Sequence, residues 1–309
     1  MGEGERQAVI ELVKLTFKEW SDDRAPRLAA ALSYYTIFAV GPFLIILIAL
    51  VGILYSRDVI QTQVLDEIGR LIGEEGRNFV TGLITASQQT GGGVTATILG
   101  TITLLVGALG IFGELQNSLN TILNVKLKPT KGVKGTAARL VTSRLLSFAM
   151  LLVIGFLLLV SMVLTAAIAG LQRWIGSQLP VIAPGVQGLN FILSLLITAL
   201  LFALIFKYLP DVIIAWKDVL IGGLVTAFLF NVGKQLIGLY LGNSRIQSIY
   251  GAAGVVVVIL IWIYYSAQIV FLGAEFTQVY ANRYGSKVLP DKRAVPIDVT
   301  DRLKQGMEP

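Results

Sequence analysis

Long apolar runs alternate with short polar ones along this chain. Six stretches, residues 28–55, 94–121, 145–169, 189–206, 219–241 and 250–278, are apolar with few charges. A hydrocarbon core of about 30 Å needs about 20 helical residues, so the pattern predicts six transmembrane helices. Ahead of them the period shortens. Val9, Leu12, Val13, Phe17 and Trp20 recur at helical spacing opposite Glu11, Lys14, Lys18 and Glu19, which predicts an amphipathic helix lying in the membrane interface. Between the first two spans, residues 56–93 mix apolar positions such as Leu65, Ile68, Leu71 and Ile72 with charges and close on Gly91, Gly92 and Gly93. That predicts a helical external segment and a flexible joint. Residues 286–309 are polar, hold three prolines and show no apolar period, so a mobile tail is expected.

Composition agrees with a lipid-embedded body. The chain is 55% hydrophobic and 14% charged, where a soluble domain carries roughly a quarter charged residues. The fold class expected is all-α and polytopic, in three parts: an N-terminal amphipathic segment 1–27, a six-helix membrane domain 28–279 and a polar tail 280–309. Residues 1–27 contain no apolar run before a small-residue cleavage site, so no secretory signal peptide is expected.

Charge sets the direction. Lys and Arg outside the spans number 5, 3, 6, 1, 2, 1 and 6 from the N-terminus onward. Alternate segments thus collect 19 on one side and 5 on the other. The positive-inside tendency places the 19 in the cytoplasm, with both termini there. The net charge of +6 needs no nucleic acid to explain it, because cytoplasmic loops beside anionic lipid call for the same residues.

The chain has no Cys and no His. Disulfides, thiolate chemistry, imidazole proton shuttles and the usual zinc ligands are therefore excluded. No Walker A pattern is present, so no nucleotide, metal or other cofactor is expected.

Ionisable groups inside spans cost several kcal/mol and are functional candidates by default. Glu114, Lys234 and Glu275 qualify. Glu114, Asn117, Ser118 and Thr121 form a polar stripe behind Gly107, Gly110 and Gly113, either lining a cavity or bonding across a close helix contact. Tyr264, Gln268 and Glu275 share roughly one face of the last span. Glu275 either lines a cavity with them or marks the helix end, snorkelling or pairing with a loop base. At 1.5 Å per residue both glutamates fall ~30 Å or more from the outer ends of their spans, whereas Lys234 falls ~24 Å from the cytoplasmic end of its own. Lys234, with Asn231 one turn behind, thus belongs to the outer half, and Arg27, Arg144 and Lys207 are better-placed partners for the glutamates. Gly41 and Pro42 interrupt the first span, as a packed kink or as a hinge. Lys126, Lys128, Lys131 and Lys134 form a basic loop suited to anionic headgroups or simply to orienting the chain.

Three segments carry a family likeness: AAALSYYTIFAVGP at 29–42, GIFGELQNSLN at 110–120 and IYGAAGVVVVILIWIYYSAQIVFLGAEFT at 249–277. Together with the Pro210-Asp211 loop they resemble the YihY/virulence factor BrkB family. Glu114, Asn117, Tyr250, Gly251, Tyr265, Gln268, Gly273 and Glu275 match its pattern. The resemblance implies a multi-pass inner-membrane protein, and the family's proposed roles lie in lipid or envelope transport. Many members carry the label ribonuclease BN, which the residues here do not favour. Metal-assisted phosphodiester cleavage needs clustered carboxylates or histidines, but the acids on the cytoplasmic side are scattered through Asp22, Asp23, Asp211, Asp218 and the tail. The adjacent Asp22 and Asp23 read as a helix cap and dipole partner. The function expected is therefore a non-enzymatic inner-membrane transporter, with a membrane scaffold or lipid-binding protein as the alternative. Membrane lipids are the expected partner, with no nucleic acid, and a homo-oligomer or an envelope protein as further candidates.

Overall fold

The computed structural model describes residues 3–37, 65, 77, 81, 110–128, 183–243, 253–298 and 300–302. The chain divides into two compact units: Met1–Ala25 with Gln116–Asn231 and Ile269–Pro309, and Pro26–Leu115 with Val232–Gln268.

Helix α1 (Glu3–Asp22) is the amphipathic start. Leu12 and Thr16 are buried, whereas Val9, Val13 and Phe17 remain exposed, as a helix resting in a membrane interface would leave them. The helix stops where the Asp23 N–H donates to Glu19 O (2.8 Å) and Arg24 takes a left-handed φ of 52°. Helix α2 (25–37) follows. Helix α3 (110–122) ends similarly, with Asn124 at φ 57° donating its N–H to Thr121 O, a role for which Asn is suited after Gly.

Three long apolar helices come next: α4 (Ala183–Tyr208), α5 (Trp216–Asn243) and α6 (Ala253–Tyr284). Trp216–Tyr240 and Val256–Tyr284 are long and apolar enough to cross a membrane, and Ile192–Tyr208 is a shorter apolar helix. These coincide with the fourth, fifth and sixth predicted spans. Along α5 the exposed Leu220, Leu224, Phe228, Val232, Leu236 and Tyr240 recur every fourth residue, and Ile192, Leu196 and Leu200 do so along α4. An apolar ridge of that length facing outward is what lipid covers.

In the first unit α5 and α6 touch through a reciprocal pair of Gly-x-x-x-Thr steps. A Cβ on Gly222 would collide with Thr277, and a Cβ on Gly273 with Thr226. Each threonine hydroxyl donates back to the carbonyl of the glycine four residues earlier in its own helix, 2.6 Å for Thr226 and 2.7 Å for Thr277. Small residues let the backbones approach closely, and dispersion rather than hydrophobicity then holds them in lipid. Gly223 packs in the same way on α4 at Ala199 and Ala203. The second unit buries Ile237 and Val258 against Ile261, Trp262 and Tyr265, and Gly110 faces Tyr35 at 3.9 Å.

The expected all-α class needs one amendment and the expected mobile tail a correction. Strand β1 (Val125–Leu127) pairs antiparallel with β4 (Ala294–Pro296), and β2 (Val212–Ile213) pairs with β3 (Leu289–Pro290). The tail is thus pinned to loops that sequence periodicity could not connect to it. Ala294 is buried, and Ile297 N–H donates to Asn124 O at 3.0 Å. Of the external segment 56–93, residues 65, 77 and 81 are described and helical. The hinge at Gly41 and Pro42, the third span and Arg144 lie outside the described residues.

Candidate functional site

The polar side chains of the first unit gather where α1 ends, α3 gives way to β1, α5 begins and α6 ends. Glu275 is one turn before the end of the apolar part of α6, between Gly273 and Thr277. It is 0% exposed, and neither carboxylate oxygen has a hydrogen-bond partner among the described residues.

Asp23 is the other deeply buried acid, at 1% exposure. Its Oδ1 accepts from Arg302 Nη2 at 2.7 Å, while Oδ2 has no partner among the described residues. Arg302 also donates to Asn124 Oδ1, so a single tail guanidinium joins the α1–α2 turn to the α3–β1 turn. Burial pushes the Asp23 carboxyl up to about 7; Arg302 opposes the shift, and Glu19 and Asp22 add to it. Beside this cluster lies an open groove of about 420 Å³, lined by Leu15, Glu19, Asn124, Gln278, Val279, Asn282 and Arg283. Arg283 pairs with Glu11 at 2.6 Å, and that hydrogen bond holds its guanidinium above the ordinary range.

A second knot surrounds Asp211. Its Oδ2 accepts from Gln116 Nε2 (3.2 Å) and Asn120 Nδ2 (2.9 Å), and its N–H returns a bond to Asn120 Oδ1 at 2.8 Å. Arg293 stands 3.9 Å away and the Asp211 carbonyl accepts from the Asp291 N–H. Asp218, in the first turn of α5 where a helix dipole favours an acid, accepts both the N–H and the hydroxyl of Ser286 at 2.8 and 2.7 Å. A Cβ on Gly285 would collide with the same carboxylate. Among the described residues no three acids lie close enough to hold a metal ion.

Similarity to known proteins extends over most of the chain. The family model for virulence factor BrkB matches residues 16–298. The chain belongs to the virulence factor BrkB family. Its relatives include a UPF0761 membrane protein of Pseudomonas paraeruginosa, 29% identical over 86% of this chain and 61% of its own length. The UPF0761 membrane protein of Azotobacter vinelandii is 30% identical over 86% of this chain and 62% of its own length, and that of Teredinibacter turnerae is 27% identical over 92% and 63%. The chain spans about three fifths of the length of these curated relatives. No solved structure matches it. This BrkB-family chain is a membrane protein, and among the described residues two helices are long and apolar enough to span.

The residues singled out from the sequence are dispersed across both units. Asn117, Ser118, Asn231 and Glu275 belong to the first; Glu114, Lys234, Tyr264 and Gln268 belong to the second. Asn117 is exposed, and Ser118 is buried with a hydroxyl unpartnered among the described residues. Asn231 donates to Ala227 O of its own helix (2.8 Å). Lys234 is exposed, and Glu114, Tyr264 and Gln268 are half-buried. Glu275 neither snorkels to water nor bonds to a loop base among the described residues. Lys207, named as a candidate partner, donates instead to Ile214 O and lies 6.0 Å over the Trp216 ring, within cation–π range. Lys126 pairs with Asp298 and Asp301, and Lys128 donates to Lys292 O at 2.8 Å; Lys131 and Lys134 lie outside the described residues.

Gln116, Asn120 and Arg302 are polar anchors that the sequence did not single out, and Asp211 and Asp218, read there as scattered acids, are buried and hydrogen-bonded. Gln116 and Asn120 sit four residues apart on the face beside the stripe through Glu114 and Thr121. Their spacing together with the Pro210-Asp211 step was the available signal.

Proposed function

We propose that this chain is a six-span inner-membrane protein with both termini in the cytoplasm, and that it moves a lipid or another envelope-related amphiphile across the membrane. The observation carrying the reading is Glu275, a carboxylate with no exposed surface and no hydrogen-bond partner among the described residues, on a helix otherwise fit for lipid. Such a group costs several kcal/mol in apolar surroundings and contributes nothing to packing that Gln or Met would not. The neighbouring groove supports an amphiphilic cargo, since Leu15 and Val279 line it beside Asn124, Gln278 and Asn282. Distribution of the 25 basic residues supports the orientation.

The reading makes the chain non-enzymatic, with membrane lipids as partners and no nucleic acid. The acids nearest the polar end are occupied: Arg302 holds Asp23, Gln116 and Asn120 hold Asp211, and Ser286 holds Asp218. A scaffold role for the basic loop is less favoured, because Lys126 and Lys128 already bond to the tail. The test is reconstitution in vesicles bearing a fluorescent phospholipid in both leaflets, with a membrane-impermeant quencher added outside. Loss of signal from the inner leaflet faster than in protein-free vesicles is expected; equal rates would overturn the proposal.

A further inference from the structure

Within the first unit, the apolar ridges of α4 and α5 each end in an exposed aromatic ring. Tyr208 closes the ridge of α4, two turns past Leu200, and Trp216 opens that of α5, one turn before Leu220. The two rings meet edge to face at 5.9 Å, so at this end the ridges open on the same side. Lys207 lies 6.0 Å over the Trp216 ring and donates to Ile214 O, which ties the connecting loop to the ring pair. Amphipathic rings with a cation beside them are what the boundary between lipid and water selects.

Past the rings the surface stays apolar. Ile213, three residues and at most about 11 Å before Trp216, is 53% exposed, and its cross-strand partner Leu289, supplied by the tail, is 53% exposed as well. Val212 and Ile214 are buried, so the alternation along the strand turns Ile213 outward. Residues directly opposite in an antiparallel pair share a face, and the β2–β3 ribbon thus presents Ile213 and Leu289 together. Its place at the start of α5 is fixed. Ser286 donates its N–H and its hydroxyl to Asp218, and the Ala215 N–H donates to Ser286 Oγ at 3.1 Å. The lysines that border the ribbon in sequence, Lys217, Lys287 and Lys292, are exposed. The bordering acids are engaged: Asp211 by Gln116 and Asn120, Asp218 by Ser286 and Asp291 by Arg293. An apolar face rimmed by cations is matched to lipid headgroups, which carry phosphate above an apolar layer.

We propose that the β2–β3 ribbon is a membrane anchor: Ile213 and Leu289 enter the headgroup layer of the bilayer that covers the ridges, with Tyr208 and Trp216 at its boundary. The tail is thereby held to lipid as well as to the loops. The anchor requires only that the chain sits in a membrane, and holds whether or not it moves a solute.

The chain has no Cys, so Leu289→Cys and, separately, Ile213→Cys can carry a nitroxide spin label on the full chain in lipid nanodiscs. Both positions are exposed, and a label there displaces no packed side chain. Electron paramagnetic resonance then compares collisions of the label with oxygen, which concentrates in lipid, and with a water-soluble nickel chelate. At both positions the expected result is more collision with oxygen than with nickel, the reverse of a nitroxide in buffer. A label at either position that meets nickel as freely as one in buffer overturns the proposal, as a face reserved for a soluble partner would. Dipolar broadening between labels also overturns it, by giving the face to a second copy of the chain.

Discussion

At Asp23, burial and the Arg302 guanidinium pull in opposite directions, and burial prevails, pushing the carboxyl up to about 7 from its ordinary 3.8. A group raised in the folded state stabilises it fully below the ordinary value and loses that contribution as pH climbs through the folded one. The turn at residues 21–25 and the tail strand Ala294–Pro296 should therefore exchange amide hydrogens more slowly as pH falls from above 7 toward 4, after correction for intrinsic rates. Asp23→Asn should flatten that dependence. A tail that loosens on acidification would show instead that the bond from Arg302 outweighs desolvation. Asn120 gives a second expectation at this scale. It accepts from the buried Asp211 N–H and donates to its carboxylate, so Asn120→Ala strands a backbone donor and should cost about 1–3 kcal/mol, read from the thermal unfolding midpoint in detergent.

The helices were legible because length and hydropathy alone specify them: the fifth and sixth spans fall where α5 and α6 fall. The α5–α6 contact was less so. Gly222 and Thr226 read as unremarkable span residues until they meet Gly273 and Thr277. Gly273→Val should drive its side chain into Thr226 and destabilise the pair by about 1–3 kcal/mol, as overpacking does; an unchanged melting curve would mean that the helices can separate freely. The tail strands were not legible at all. Strands of two or three residues carry no period, and their order comes from partners far away in sequence, as when Lys126 meets Asp298 across 172 positions. Glu275 was visible as a candidate because an acid in an apolar run stands out. The buried Asp23 and its partner Arg302 were not, because an acid after a helix and an Arg in a polar tail look like solvated charges.

Across the molecule, the ridge from Leu220 to Tyr240 speaks to a chain set in lipid, and the proposed orientation, with both termini in the cytoplasm, follows from the distribution of basic residues. The sequence contains no Cys, so single-cysteine variants report topology without background. Cysteines placed at Gly2 and at Gln305 should both be protected from an impermeant maleimide in intact cells, whereas one at Gln89 should react. Labelling at either terminal position would refute the six-span orientation.

The central claim is that Glu275 is kept for function at a cost to stability. Comparing wild type with Glu275→Gln in both thermal unfolding and the vesicle lipid-translocation assay tests it most directly. Gln removes an unpartnered buried carboxylate with little change of shape, so the variant should unfold at an equal or higher temperature while its translocation falls by about tenfold or more, the loss of roughly 1.4 kcal/mol of transition-state stabilisation. A variant that unfolds earlier than wild type, or translocates lipid as fast, would contradict the account.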